Sequence, residues 1–428
     1  MFVFSKTQHV FLISKPLLKK CFNRTFLSQA YYCNEIWEQR LSDPIIKKVD
    51  LDVFYNELDL KYQKIRNISP VDVDIFANAV NNRTHFDELL DLVHKLRLSA
   101  ETKNTLESTH HAVVRNLLKE KQNDLLLQVL DDRLNYGIFL DYYTTNLLLD
   151  TFWKEKDYLS GARTASQLML QEDFSHPLNT ALSLLHCYNY LLEPKEWPKP
   201  PLPEEPVEEK KVRVKYLRNP YYDDHFDLRD PLKIVGKTLV LATKPLGDTL
   251  EKSLHAVGLA LWDHKDKLQQ FIAKLKKNNE TIFDTTLDLV PDDNQCKSEL
   301  SPVSTQTGDL QNLLQVKVKK AEQTTSEKDI ASQCDTYAQW IDDRRRLLDE
   351  QNQRYLNAKR LLNIEETQKS LQEREKLLWF FENQDKIELQ IEANEALAAT
   401  NTNFLTKKEK KMDENYIPPE VKQRKTAS

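Results

Sequence analysis

Between Asp50 and Leu192 the apolar residues recur at helical intervals, in short runs that come in pairs separated by Asn, Asp, Thr and Ser. No stretch alternates in the manner of a half-buried strand. Val71 to Val80 and Phe86 to Leu98 form one pair, with Asn81, Asn82 and Thr84 supplying a turn and an N-cap between them. Val113 to Leu118 and Leu125 to Leu134 centre a second pair. Thr144 to Phe152 and Leu159 to Leu170 make a third, about the polar turn Lys154 to Asp157. Asp141, Leu106 and Val71 lie at thirty-five-residue steps, so the pattern predicts three helical hairpins in a 35-residue frame, the third passing into Leu178 to Leu192. Hairpins repeated in this way bury their apolar faces only by stacking, which predicts a short solenoid over 50–192.

The pattern changes after residue 192. Six prolines between Pro194 and Pro206, interleaved with Glu204, Glu205, Glu208 and Glu209, predict an extended linker over 193–231. Its second half carries Lys210, Lys211, Arg213, Lys215 and Arg218 beside Tyr216. Helical periodicity resumes over 232–283. Residues 284–333 are polar, acidic and rich in Ser and Thr with little periodicity, and are expected to be mobile. Over 334–400 a long helix is predicted: Ile341, Leu348, Tyr355 and Leu362 recur every seven residues, beside Trp340, Leu347 and Leu361. The second heptad position holds Arg345, Asn352 and Lys359, so packing on another protein or on the chain's own helices fits better than self-pairing. Leu377 to Phe381 supply a far anchor, and 401–428 form a basic tail. The fold class is all-α: a hairpin solenoid, a second helical region and a long C-terminal helix.

Composition narrows the chemistry. Charged residues make up 30% of the chain and only 6 of 428 residues are glycine, in no cluster, which excludes a phosphate-cradling loop. Five cysteines without any C-x-x-C spacing suggest free thiols in a reducing or matrix compartment. The first thirty residues contain five Lys and Arg and no acid, Glu35 being the first, as a mitochondrial presequence over 1–30 would. Removing them would take the formal net charge from −5 to about −10. An acidic mature chain does not wrap nucleic acid by bulk charge, so any RNA contact must be local. No later stretch is long and apolar enough to span a bilayer.

Candidate catalytic and metal-binding groups are thin. His110 and His111 are adjacent, so their rings diverge by about 100° on a helix and do not share an ion. His225 beside Asp223 and Asp224, and His264 beside Asp263, lack spaced companions. No cofactor, metal site, small-molecule substrate or enzymatic activity is expected.

The stretch from Asn135 to Asp150, with Gly137 closing one helix and Asp141 to Asn146 opening the next, resembles the junction between two pentatricopeptide repeats, with Leu140 where that family usually has Pro. Ala162 and Met169 also fit the second helix of such a repeat. Tyr136 to Phe139, Asn146 to Leu148, Asp150, Phe152, Lys154 and Tyr158, together with Arg24, Leu27, Ser28, Ala30, Tyr31, Trp37, Glu38 and Arg40, are similar to the pentatricopeptide-repeat proteins of the small subunit of animal mitochondrial ribosomes. The likeness spans residues 24 to 192. It implies a pentatricopeptide-type solenoid, a structural role in mitochondrial translation within the matrix ribosome, and two kinds of partner, small-subunit rRNA and neighbouring mitochondrial ribosomal proteins. The alternative is a free mitochondrial RNA-binding factor acting in RNA processing, stability or translation.

Pentatricopeptide proteins read single-stranded RNA through the fifth and last residues of each repeat. The resemblance therefore points to Asn146, His111 and Asp141 as candidate RNA-binding residues, although Asp141 also suits a helix cap and Asn146 a helix start. Lys407, Lys408, Lys410 and Lys411 of the tail, with Lys422, Arg424 and Lys425, are candidates for phosphate contact, as are Arg344, Arg345, Arg346 and the Lys210 to Arg218 stretch.

Overall fold

Caps and prolines set where the helices begin. The computed structural model describes residues 25–198, 228, 230–244, 246–290 and 296–406. Two short helices, α1 (Asn34–Gln39) and α2 (Pro44–Lys47), lead into α3 (Leu51–Ile65). Three hairpins follow: α4 (Pro70–Ala79) with α5 (Phe86–Leu98), α6 (Glu107–Lys119) with α7 (Asn123–Asp131), and α8 (Tyr142–Glu155) with α9 (Tyr158–Gln171), then α10 (Pro177–Leu192). Pro70 and Pro177 occupy first helical positions, where the missing N–H has no intrahelical partner to lose. Asp141 caps α8 by accepting from Thr144 N at 2.8 Å, and Asp157 caps α9 by accepting from Ser160 N at 3.2 Å.

The helix-opening residues Leu106, Asp141 and His176 stand at the predicted thirty-five-residue steps, whereas Ser69 precedes Leu106 by thirty-seven. A 3-10 turn over Thr102–Asn104 lengthens that connection. Gly137 turns the chain between α7 and α8 at φ +63, a conformation that favours glycine, and a Cβ there would stand 2.9 Å from Arg97 Cδ.

The apolar stripes close into two clusters. Trp37, Phe76, Leu89, Leu117, Leu148 and Phe152 belong to one, and Tyr143, Leu147, Leu178, Leu182 and Leu185 to the other. Between α9 and α10 the His186 imidazole sits directly on Gly161, so that a Cβ there would lie 2.0 Å from its Nδ1. That imidazole is buried and its Nε2 lies 2.8 Å from Leu149 O, the N–H donating.

The second helical region continues the stack. α11 (Pro231–Ala242) packs on α9 and α10, and α12 (Thr249–Leu261) and α13 (Lys265–Lys277) follow. A capping box starts α12: Asp248 accepts from the N3 backbone while Glu251 reaches back to the N-cap. Beyond α13, β1 (Ile282–Phe283) pairs in parallel with β2 (Ser304–Gln306), around α14 (Thr286–Leu289) and α15 (Cys296–Leu300). Apart from this two-residue pairing the described chain is helical, as its fold class predicts.

Two expected boundaries are corrected. The segment 284–333, expected to be mobile, is structured where it is described, and the long helix α16 (Leu310–Thr406) begins well before residue 334. Its first turns bury Leu310, Leu314, Val318 and Ala321 against the stack, a stripe concealed in the sequence by the Gln, Lys, Thr and Ser around it. The leader expected over 1–30 overlaps built structure at its end, because Leu27 is 2% exposed and its N–H donates to Asp150 Oδ1 at 3.2 Å. Residues 1–24, most of the linker, and the tail beyond 406 lie outside the described residues.

The chain divides into two compact units, residues 1–347 and 348–428. In the second, the described residues are the remainder of α16, where Tyr355, Leu362, Leu371 and Trp379 stay exposed. No helix among the described residues is long and apolar enough to cross a membrane.

Candidate nucleic-acid interface

In the stack, α4 lies against α6, α6 against α8, and α8 against α10. A residue five positions into each helix therefore joins a row, and the row reads Asp74, His111, Asn146 and Ala181. It is this row that the repeat resemblance nominates for reading bases.

The row is occupied by the chain's own helix. The first half of α16 runs along it from α10 toward α4, opposite to the order of the repeats. Gln311 donates to Asn189 Oδ1 at 3.2 Å, and Leu314 and Val318 join the apolar cluster of α8 to α10. Farther on, Asp329 accepts from Tyr31 Oη at 3.0 Å and lies 3.1 Å from His176 Nε2. Tyr337 Oη accepts from Arg115 at 2.9 Å and sits 2.9 Å from His111 Nε2. Finally Arg344 Nε donates to Asp74 Oδ2 at 2.7 Å, both side chains being buried. Asp74 also accepts from Thr109 at 2.9 Å, from Asn78 at 3.0 Å and from Ser108.

The N-terminal segment seals the same groove. Asn146 Nδ2 donates to Tyr31 Oη at 2.9 Å, and Tyr143 Oη donates to Tyr31 O at 2.6 Å. His111 is ringed by Trp37, Tyr143, Tyr337 and Trp340, with centroids 4.9 to 5.9 Å away. Arg40 lies over Trp37 at 3.9 Å and donates to Asn78 O and Trp37 O.

Burial shapes the electrostatics. The His111 ring is held neutral, its pKa pushed well below the ordinary value by desolvation and then by Arg115 and Arg40. Desolvation with Arg115 nearby lowers Arg40 to about 10, and desolvation raises Tyr337 to about 12. The hydroxyls of Tyr31 and Tyr143 are likewise pushed up and stay protonated. Neutral rings and hydroxyls around two guanidinium groups make a positioning network, and no exposed nucleophile or base stands within it.

His111, at 2% exposure, and Asn146, at 0%, are buried, whereas reading RNA would require an exposed edge on each. The physical reason is the aromatic and polar strip of α16 laid over them. Asp141 is different: its side chain is 43% exposed, yet it spends one oxygen capping α8. Lys407, Lys408, Lys410 and Lys411 lie outside the described residues. Of the three consecutive arginines, Arg344 is buried against Asp74, Arg345 pairs with Asp43 at 3.4 Å, and Arg346 pairs with Asp343 at 2.9 Å. Arg344 and Arg345 thus tie the helix to the stack, while Arg346 pairs within its own helix.

Asp74, Arg115, Asp329 and Tyr337 were not singled out by sequence, and two signals point to all of them but Arg115. Asp74 shares the register of His111 and Asn146. Residues 310, 314, 318, 321, 325, 329, 333, 337, 340 and 344 keep an unbroken helical period, but half of that stripe is polar.

Residues 2–370 match the family model described as mitochondrial 28S ribosomal protein S27.

Proposed function

Because the chain belongs to the mitochondrial 28S ribosomal protein S27 family, a family of mitochondrial small-subunit ribosomal proteins rather than enzymes, we propose that it acts there as a self-closed, pentatricopeptide-type scaffold. In this reading it meets rRNA and neighbouring proteins through outer surfaces and not through the repeat groove. The observation that carries it is the pairing of Asp74, His111 and Asn146 with Arg344, Tyr337 and Tyr31. A groove already saturated by its own chain gives rigidity instead of sequence readout. The exposed apolar residues of 348–400 supply a clamp for a neighbouring ribosomal protein, and the acid-free start supplies the import leader. A free RNA-processing factor would need the row uncovered, and no feature of the groove favours that reading.

The test is sedimentation of gently lysed mitochondria with and without RNase, probing this chain beside a small-subunit marker. Stoichiometric co-migration with the subunit is expected. A peak restricted to light fractions would overturn the scaffold reading. Truncation after residue 347 should weaken incorporation, and undiminished incorporation would remove the clamp.

A further inference from the structure

Away from the filled groove, the second helical region has an open one. α11, α12 and α13 enclose a space of about 660 Å³ lined by Val240, Leu259, Phe271 and Leu275 and rimmed by Lys244, Lys267 and Lys274. On α13 and at its C-cap, the lining residues Lys267, Gln270, Phe271, Lys274 and Asn278 fall on one helical face. From α12, His255 closes the floor, its ring 4.9 Å from Phe271 and its Nδ1 3.0 Å from Thr243 Oγ1. The floor is thus apolar and aromatic, its rim carries two amides, and three exposed cations stand around it.

Charge singles this groove out. The whole chain is at −5, but residues 231–280 hold nine Lys and five Asp or Glu, a local excess of +4. Glu280, the carboxylate among the lining residues, is neutralised by Lys252 at 2.9 Å. Among the described residues, none of Lys244, Lys267 and Lys274 pairs with a carboxylate, and Lys267 instead lies over the Trp262 ring at 4.8 Å. Three exposed lysines around one concave groove concentrate positive potential there, which draws in an anion.

From this we infer that the α11–α13 groove is an RNA-binding site, taking an unpaired nucleotide whose phosphates meet Lys244, Lys267 and Lys274. The base then enters over Phe271, where Gln270 and Asn278 offer donors and acceptors to its edge. Single-stranded segments are recognised in this manner, by a base on an apolar or aromatic floor and cations on the backbone. An acidic amphipathic helix would also meet the lysines, but it needs a continuous apolar trough, and here amides interrupt the rim. The inference rests on the ribosomal reading above and assigns that reading its local RNA contact.

The experiment uses the full chain and a fluorescently labelled single-stranded RNA dodecamer, followed by anisotropy across a salt series. K244E/K267E/K274E should bind roughly tenfold or more weakly than K359E/K369E/K386E, which carries the same charge change on exposed positions of α16. Losing three phosphate contacts should also flatten the salt dependence by about two in log–log slope. Gln270→Trp, which fills the groove without touching charge, should weaken binding while leaving the circular dichroism spectrum unchanged. Equal weakening by both triple variants, or an inert Gln270→Trp, would overturn the inference. So would binding of a labelled acidic amphipathic peptide together with no RNA binding. Co-sedimentation of the wild-type chain with the small subunit separates the two claims: failure of RNA binding to respond to the variants leaves the ribosomal reading standing, whereas a wild-type chain absent from the subunit removes it.

Discussion

One helix, α16, has two fates. Its first half, residues 310–347, buries a stripe that includes Leu314, Val318, Asp329, Gln333, Tyr337 and Arg344, while residues 348–400 leave Leu362, Leu371, Leu378 and Trp379 exposed. Apolar content does not separate them, since the exposed half is the richer in Leu and aromatic side chains. The difference lies in complementarity. The first half meets a row of helices whose polar groups match its own, Asp74 to Arg344 and His111 to Tyr337, whereas the apolar residues of the second half stay exposed. A helix face is buried by what opposes it, and hydropathy along one strand of sequence records only half of that match.

The comparison can be broken at its strongest joint. Asp74→Ala leaves the Arg344 guanidinium buried without its carboxylate and should destabilise the chain by about 3–5 kcal/mol in urea denaturation. A loss below about 1 kcal/mol would mean that the groove pairing is ornamental. Smaller in effect, Leu314→Ala should remove about 2–5 kcal/mol, while Leu362→Ala on the exposed half should stay within about 0.5 kcal/mol. Equal losses would show that both halves are covered in solution.

Acid should sharpen the same contrast. Burial pulls His110 and His186 down to about 4, and residues 348–428 contain no histidine. Above pH 6.5 both folded and unfolded chains hold these rings neutral. Below it the unfolded chain takes up protons that the folded one refuses until about pH 4. Stability of the first unit should therefore fall between pH 6.5 and 4, by up to about 1.4 kcal/mol per pH unit for each ring. Urea melts at pH 7 and pH 5 that coincide would contradict the neutral, buried assignment.

The contrast also explains what was legible. The hairpin frame could be read because Leu106, Asp141 and His176 open helices at a constant step, and because Asp141 is a cap by chemistry as well as by position. The start of α16 was hidden by the polar members of its stripe, Thr325, Asp329 and Gln333, which look solvated when read alone. The burial of His111 and Asn146 was hidden for the converse reason: their covering residues, Tyr337 and Tyr31, are 226 and 115 positions away, a separation that no local pattern carries. The lysine-rimmed groove went unnoticed because Lys244, Lys267 and Lys274 come from a turn and a helix that only folding brings to one rim.

The separation between Asp74 and Arg344, 270 residues, has a consequence for the order in which the molecule can be made. In a chain imported leader-first, as proposed above, the repeats enter the matrix before the helix that covers them. During that interval the stack carries an unmatched carboxylate at Asp74 and open apolar strips along α8 and α10, a state suited to a holding chaperone. Docking of the C-terminal helix is then the last step of assembly, and a chain that stops short of residue 344 leaves Asp74 without its guanidinium partner.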